Sequence, residues 1–97
     1  MRPSTHGSVS HQRLVSTGVS DVQEVTLPKA TSAIEFAFET TAGRVTLDGS
    51  DPSAVNAPSL VYPAGQVPVF RPLGPGVRLK FCSAVAGSSV LQIAYLT

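Results

Sequence analysis

From residue 25 onward, apolar side chains recur at every second position in short bursts and never at helical spacing, which confines the chain to β structure. Ile34, Phe36 and Phe38 share one face of such a burst, with Glu35 and Glu39 on the other. Val45 and Leu47 alternate with Arg44, Thr46 and Asp48, and Val77, Leu79 and Phe81 alternate with Arg78, Lys80 and Cys82. Leu91, Ile93 and Tyr95 alternate with Gln92 and Ala94, and shorter bursts fall at Val25–Leu27, Leu60–Tyr62 and Val67–Phe70. Turn chemistry separates the bursts: Ala42-Gly43, Asp48-Gly49-Ser50-Asp51-Pro52, Pro63-Ala64-Gly65, Pro72–Gly76 and Gly87-Ser88-Ser89. Residues 53–59 read as a loop. The Ala42-Gly43 turn predicts a hairpin from Glu39 to Arg44, and Pro68 confines its strand to an edge or a bulge. About seven short strands spaced near ten residues predict an antiparallel β-sandwich or small barrel, each sheet with one buried and one solvated face.

Residues 1–24 read differently. They are rich in Ser, Thr, His and Gly, with isolated apolar residues at Val9, Leu14, Val15, Val19 and Val22. Ordering such a segment costs on the order of 25–50 kcal/mol at 1–2 kcal/mol per residue, more than its few valines return. The expectation is an extended N-terminal arm over 1–24, a sandwich domain over 25–97, and an arm held by a second protein. An extended stretch of about 20 residues reaches roughly 65 Å, far enough to lie along a neighbouring subunit, add a strand to its sheet or fill its grooves. The five apolar residues of the arm are the expected partner-binding positions.

The length of 97 residues suits one domain, and a formal net charge of +1 with basic residues scattered from Arg2 to Lys80 argues against nucleic acid as a partner. The polar start Met1–Gly7 lacks the apolar stretch of a secretion leader, and no apolar run approaches the ~20 residues of a membrane helix, so synthesis in a cytoplasm and no membrane partner are expected. The single Cys82 cannot form an internal disulfide, which fits a reducing compartment.

No constellation calls for catalysis, and the chain is not expected to be an enzyme. Both histidines, His6 and His11, lie in the weakly patterned segment, where nothing local would hold a general base. Zinc spacing is absent, and Asp48 and Asp51 are better read as turn residues than as calcium ligands. Glu35 and Glu39, about 13 Å apart along a strand, are too distant for a glycosidase pair and face solvent. Cys82 reads as a packing residue at an outward position. Among the aromatics, Tyr62 and Phe70 beside prolines are the expected exposed pair, and they are the candidates for a carbohydrate-binding surface. No metal or cofactor is expected.

A longer pattern runs through Ala30-Thr31-Ser32-Ala33-Ile34-Glu35-Phe36, then Arg44–Pro52, then Tyr62-Pro63-Ala64-Gly65, then Val77–Phe81, and ends in the strand Val90–Tyr95. In these stretches Pro28–Thr97 resembles a group of small virion structural proteins of tailed bacteriophages, although Asn56-Ala57-Pro58 departs from the glycine-containing loop usual there. The resemblance implies a jelly-roll-like β-sandwich that decorates or cements a capsid from its outer surface. Its implied partners are the major capsid protein and further copies of itself, a homotrimer at a local three-fold axis. A tail, baseplate or adaptor component and a carbohydrate-binding module are the alternative expectations.

Overall fold

Alternation between buried and exposed positions is realised as eight strands in a computed structural model that describes residues 9–52, 60–65 and 67–97. They are β1 (Val9–Ser16), β2 (Gln23–Val25), β3 (Ala33–Glu39), β4 (Gly43–Thr46), β5 (Leu60–Tyr62), β6 (Val69–Pro72), β7 (Leu79–Ser83) and β8 (Ser89–Leu96). Two four-stranded antiparallel sheets result, one ordered β1-β8-β3-β6 and the other β2-β7-β4-β5. Residues 1–8, the loop expected over 53–59, and Gln66 lie outside the described residues.

The register has a simple rule. Partner numbers add to 105 in β1–β8, β3–β6 and β4–β5, and to 104 in β2–β7. The chain is thus one long antiparallel ribbon, doubled back near residue 52 and then rolled. Rolling adds a second set of pairs, β3 against β8 from Ala33↔Leu96 to Glu39↔Val90, and β4 against β7 from Gly43↔Ser83 to Thr46↔Lys80.

Inward alternates from both sheets meet in one core. Ile34, Phe36, Phe38, Leu91, Ile93 and Tyr95 come from the first sheet, and Val25, Val45, Leu79 and Phe81 from the second. The Phe38 and Phe81 rings touch across the sheets at 6.0 Å, and Phe36 meets Phe38 edge-on at 6.2 Å, which are spacings typical of aromatic pairs. Leu47 packs against this core, as its place in the pattern suggested, while Val77 is only half-buried.

Two expectations are corrected. Residues 9–25 are not outside the sandwich: β1 runs along β8 for its full length, and β2 edges the other sheet. The entropic cost of ordering them is met by backbone pairing within the same chain. The expected Glu39–Arg44 hairpin is also absent, because β3 and β4 belong to different sheets. The segment between them crosses the sandwich, with Thr40 at φ 67° turning the chain.

The crossing from β1 to β2 is built on a buried hydroxyl. Ser16 is fully buried; its Oγ accepts from the Ser83 backbone N–H at 3.0 Å and donates to the Asp21 carbonyl at 2.7 Å. Asp21 closes the same turn by accepting from Thr17 N, Thr17 Oγ1 and Gln23 Nε2, and these hydrogen bonds hold its carboxyl below the usual value of 3.8. Ser16→Ala strands a buried N–H and should cost about 1–3 kcal/mol in urea unfolding. A loss under a few tenths would mean that the Ser16–Ser83 bond does not tie β1 to the second sheet.

Candidate interaction surfaces

The strand orders place β1 and β2 together along one flank of the sandwich, and β6 and β5 along the opposite flank. Large exposed apolar side chains gather on these flanks. Val15 and Val19 mark the first, at 40% and 54% exposure, and Leu60, Val61, Val67 and Phe70 mark the second, at 47%, 48%, 83% and 50%. The remaining exposed large apolar side chain among the described residues is Val85, between β7 and β8.

The five residues assigned to partner binding from sequence separate in the structure. Val15 and Val19 are exposed, Val22 is half-buried, and Val9 sits in β1 opposite Leu96. Leu14 is a correction: it stands opposite Leu91 on the inner side and packs against the core, so it is held by its own sheet. Phe70 is exposed as expected. Tyr62 is half-buried, its ring edge-on to Phe36 at 5.1 Å.

Leu60, Val61, Val67 and Arg71 were not singled out from sequence. A signal existed: adjacent Leu60 and Val61 cannot both face inward on a strand, so at least one must be exposed. Likewise, Val69 inward on β6 requires Arg71 inward as well, and Arg71 indeed stands opposite Ile34. There Arg71 Nη2 donates to the Tyr62 hydroxyl at 3.4 Å, a long contact, while its buried Nε has no hydrogen-bond partner among the described residues. A buried guanidinium donor left unfilled is costly.

The outer face of the first sheet carries polar groups between Val15 at one margin and Phe70 at the other. On it Glu39 accepts from Gln92 and pairs with Arg13 at 3.9 Å. Beside them lies an open depression of about 170 Å³, floored by Ala37 and Ala94 and rimmed by His11, Glu35, Gln92 and Pro68. The outer face of the second sheet is covered by the turn after β4. Asp48 Oδ1 accepts from Ser50 N at 3.0 Å, Thr46 donates to the Ser50 carbonyl, and Asp51 pairs with Lys80 at 2.9 Å. Asp48 is held below the usual carboxylate value by its bonds from Ser50, and these contacts account for Asp48 and Asp51 as turn residues. Cys82 faces outward opposite Arg44 yet is buried, with its Sγ 3.9 Å from the Pro52 carbonyl, and burial pushes its thiol pKa up.

Among the described residues, no group of three or more His, Cys, Asp or Glu side chains is placed to hold a metal ion, and no helix is long and apolar enough to cross a membrane. No protein-family model, curated protein or solved structure matches the chain.

Proposed function

We propose that this chain is a structural, non-enzymatic protein-binding module of the virion decoration type, attached to the outer surface of a shell of major capsid protein and associated with further copies of itself as a trimer. The observation that carries the reading is the pair of apolar flanks. Exposed apolar groups gathered at two margins of a small sandwich are what a module needs when it works only in contact with other proteins. The fold reading belongs with it: the order β1-β8-β3-β6 over β2-β7-β4-β5, reached by rolling one ribbon, supports a jelly roll. The resemblance of Pro28–Thr97 to tailed-phage virion proteins supplies the kind of partner, and many weak contacts of repeated copies sum through multivalency.

Purified particles from the source of this sequence test the reading through a quantified gel. Hundreds of copies per particle are expected. A handful, as for a tail or baseplate component, or none at all, would sink it. The depression rimmed by His11, Glu35 and Gln92 favours one second reading, a carbohydrate-binding surface on the first sheet instead of at Tyr62. A glycan-array signal removed by Glu35→Gln would support that alternative.

A further inference from the structure

Every strand in both sheets has its neighbours in the other half of the chain. Strands β1–β4 precede the point near residue 52 where the ribbon doubles back, and β5–β8 follow it. The orders β1-β8-β3-β6 and β2-β7-β4-β5 therefore alternate strictly between halves. Among the described residues, all six ladders and both isolated bridges, Phe38 with Ala64 and Asp48 with Arg78, join residues 9–52 to residues 60–97. The ten buried core residues divide evenly, five from Val25 to Val45 in the first half and five from Leu79 to Tyr95 in the second. The ion pairs Glu24–Arg78 and Asp51–Lys80 cross in the same way, as do the hydrogen bonds Ser83–Ser16 and Tyr95–Gln12. A half by itself has strands but no ladder, which leaves backbone groups unpaired and an apolar face bare. Each half is thus the complement of the other, edge for edge and face for face.

We propose that copies of this chain bind one another by exchanging halves, residues 9–52 of one copy folding with residues 60–97 of another. The single chain identifies the occupant, because each half is seated against the other in it. An exchanged sandwich keeps the same ladders, core and ion pairs, so the two forms differ mainly in how the chain is connected. In the closed form, the connection through residues 53–59 holds one half near the other at an effective concentration on the order of millimolar. Closure within one chain therefore wins at micromolar concentration, and exchange competes where chains fold at about millimolar. Two copies exchanging reciprocally give a dimer, and three exchanging in a cycle give a closed trimer. The exchange supplies a geometry for self-association without resting on the decoration reading.

The full chain with a protease recognition sequence inserted between Asn56 and Ala57 tests the proposal. Cut as a folded monomer, it is expected to keep its mass in native mass spectrometry and its β circular dichroism. Its melting temperature should become dependent on protein concentration, as for any two-piece complex, while that of the uncut chain is not. For the exchange itself, isotope-labelled and unlabelled chains are unfolded together and refolded at about 1 mM. A dimer or closed trimer is expected there and not after refolding at micromolar concentration. Cutting the isolated dimer should release particles of monomer mass, with labelled-to-unlabelled hybrids as frequent as the parental pairings. A dimer held by its outer surfaces would stay dimeric after the same cut and overturn the proposal. So would a sample that remains monomeric at millimolar concentration, halves that part when cut at micromolar concentration, or one separated half that keeps a sheet. Insertion after Ser53 is the second choice should the first block folding. A chain that folds with neither insertion would show that the connection is needed for the fold, and would overturn the proposal as well.

Discussion

Phe81→Ala is expected to lower stability by about 3–5 kcal/mol, the usual cost of removing a fully buried aromatic ring. Phe81 is 0% exposed and stands on β7, an inner strand of its sheet, opposite Gln23 of β2 and Val45 of β4. Its ring reaches across to Phe38 of the other sheet at 6.0 Å. The cavity left by alanine would be bounded by strands paired on both sides, which cannot close on it without breaking their ladders. Against a total of about 5–15 kcal/mol for a domain, this is a large fraction. It corresponds to a fall in melting temperature on the order of 20 °C. Val85→Ala, at a side chain 42% exposed, is the matched control and should stay within about 0.5 kcal/mol. Urea unfolding of both variants measures the difference. A cost near 1 kcal/mol for Phe81→Ala would mean that the two sheets do not share this core.

How much of this was legible in the sequence depends on how strongly each strand alternates. β3 from Ile34 and β8 from Leu91 alternate cleanly, because each strand is flanked on both sides within its sheet and buries one full face. Their inward residues follow from the two-residue period alone. β1 could not be read this way. By register its inner-side residues are Ser10, Gln12, Leu14 and Ser16, so the apolar pattern that marks a buried face is missing. At the sandwich margin polar groups can take these positions by finding hydrogen bonds. Gln12 accepts from the Tyr95 hydroxyl at 2.7 Å, and Ser16 from Ser83 at 3.0 Å. A polar composition therefore looked like an extended arm held by a second protein.

The pairing of distant strands was also beyond local patterning. Ala42-Gly43 marks a turn, but local chemistry does not say whether the chain returns along its own sheet or passes to the facing one. The choice is made by β8, which occupies the side of β3 that a hairpin partner would need, and by β6 on its other side. Burial on outward faces was hidden for a similar reason. Thr46 and Cys82 alternate as solvent positions, yet the turn through Ser50 and Pro52 folds over them. The exposed flank at β5 and β6 was half legible. Phe70 beside Pro68 suggested exposure, whereas the inward Arg71 follows only once Val69 is known to face the core.

Gly43→Ala is expected to destabilise the fold about as much as a core truncation, although it adds a single methyl to a strand residue. A Cβ at Gly43 would lie 2.0 Å from Phe38 Cε1 and 2.2 Å from Phe38 Cζ, well inside any tolerable separation. The obstacle is packing and not backbone conformation, because Gly43 sits in β4 with an ordinary strand geometry and no positive φ. The Phe38 ring cannot simply step aside, since Phe36 holds it at 6.2 Å and Phe81 at 6.0 Å. Moving β4 instead would disturb its pairing with β5 at Tyr62 and with β7 at Ser83. Overpacking of this kind costs about 1–3 kcal/mol, and the closeness of the clash puts this case at the upper end. The mechanism makes a second, sharper demand. Phe38→Ala removes the obstructing ring, so in the double variant the methyl finds room, and the loss in the double variant should fall short of the sum of the two single losses by about 1 kcal/mol or more. Strict additivity in denaturant unfolding would show that Gly43 is needed for some reason other than the ring lying against it.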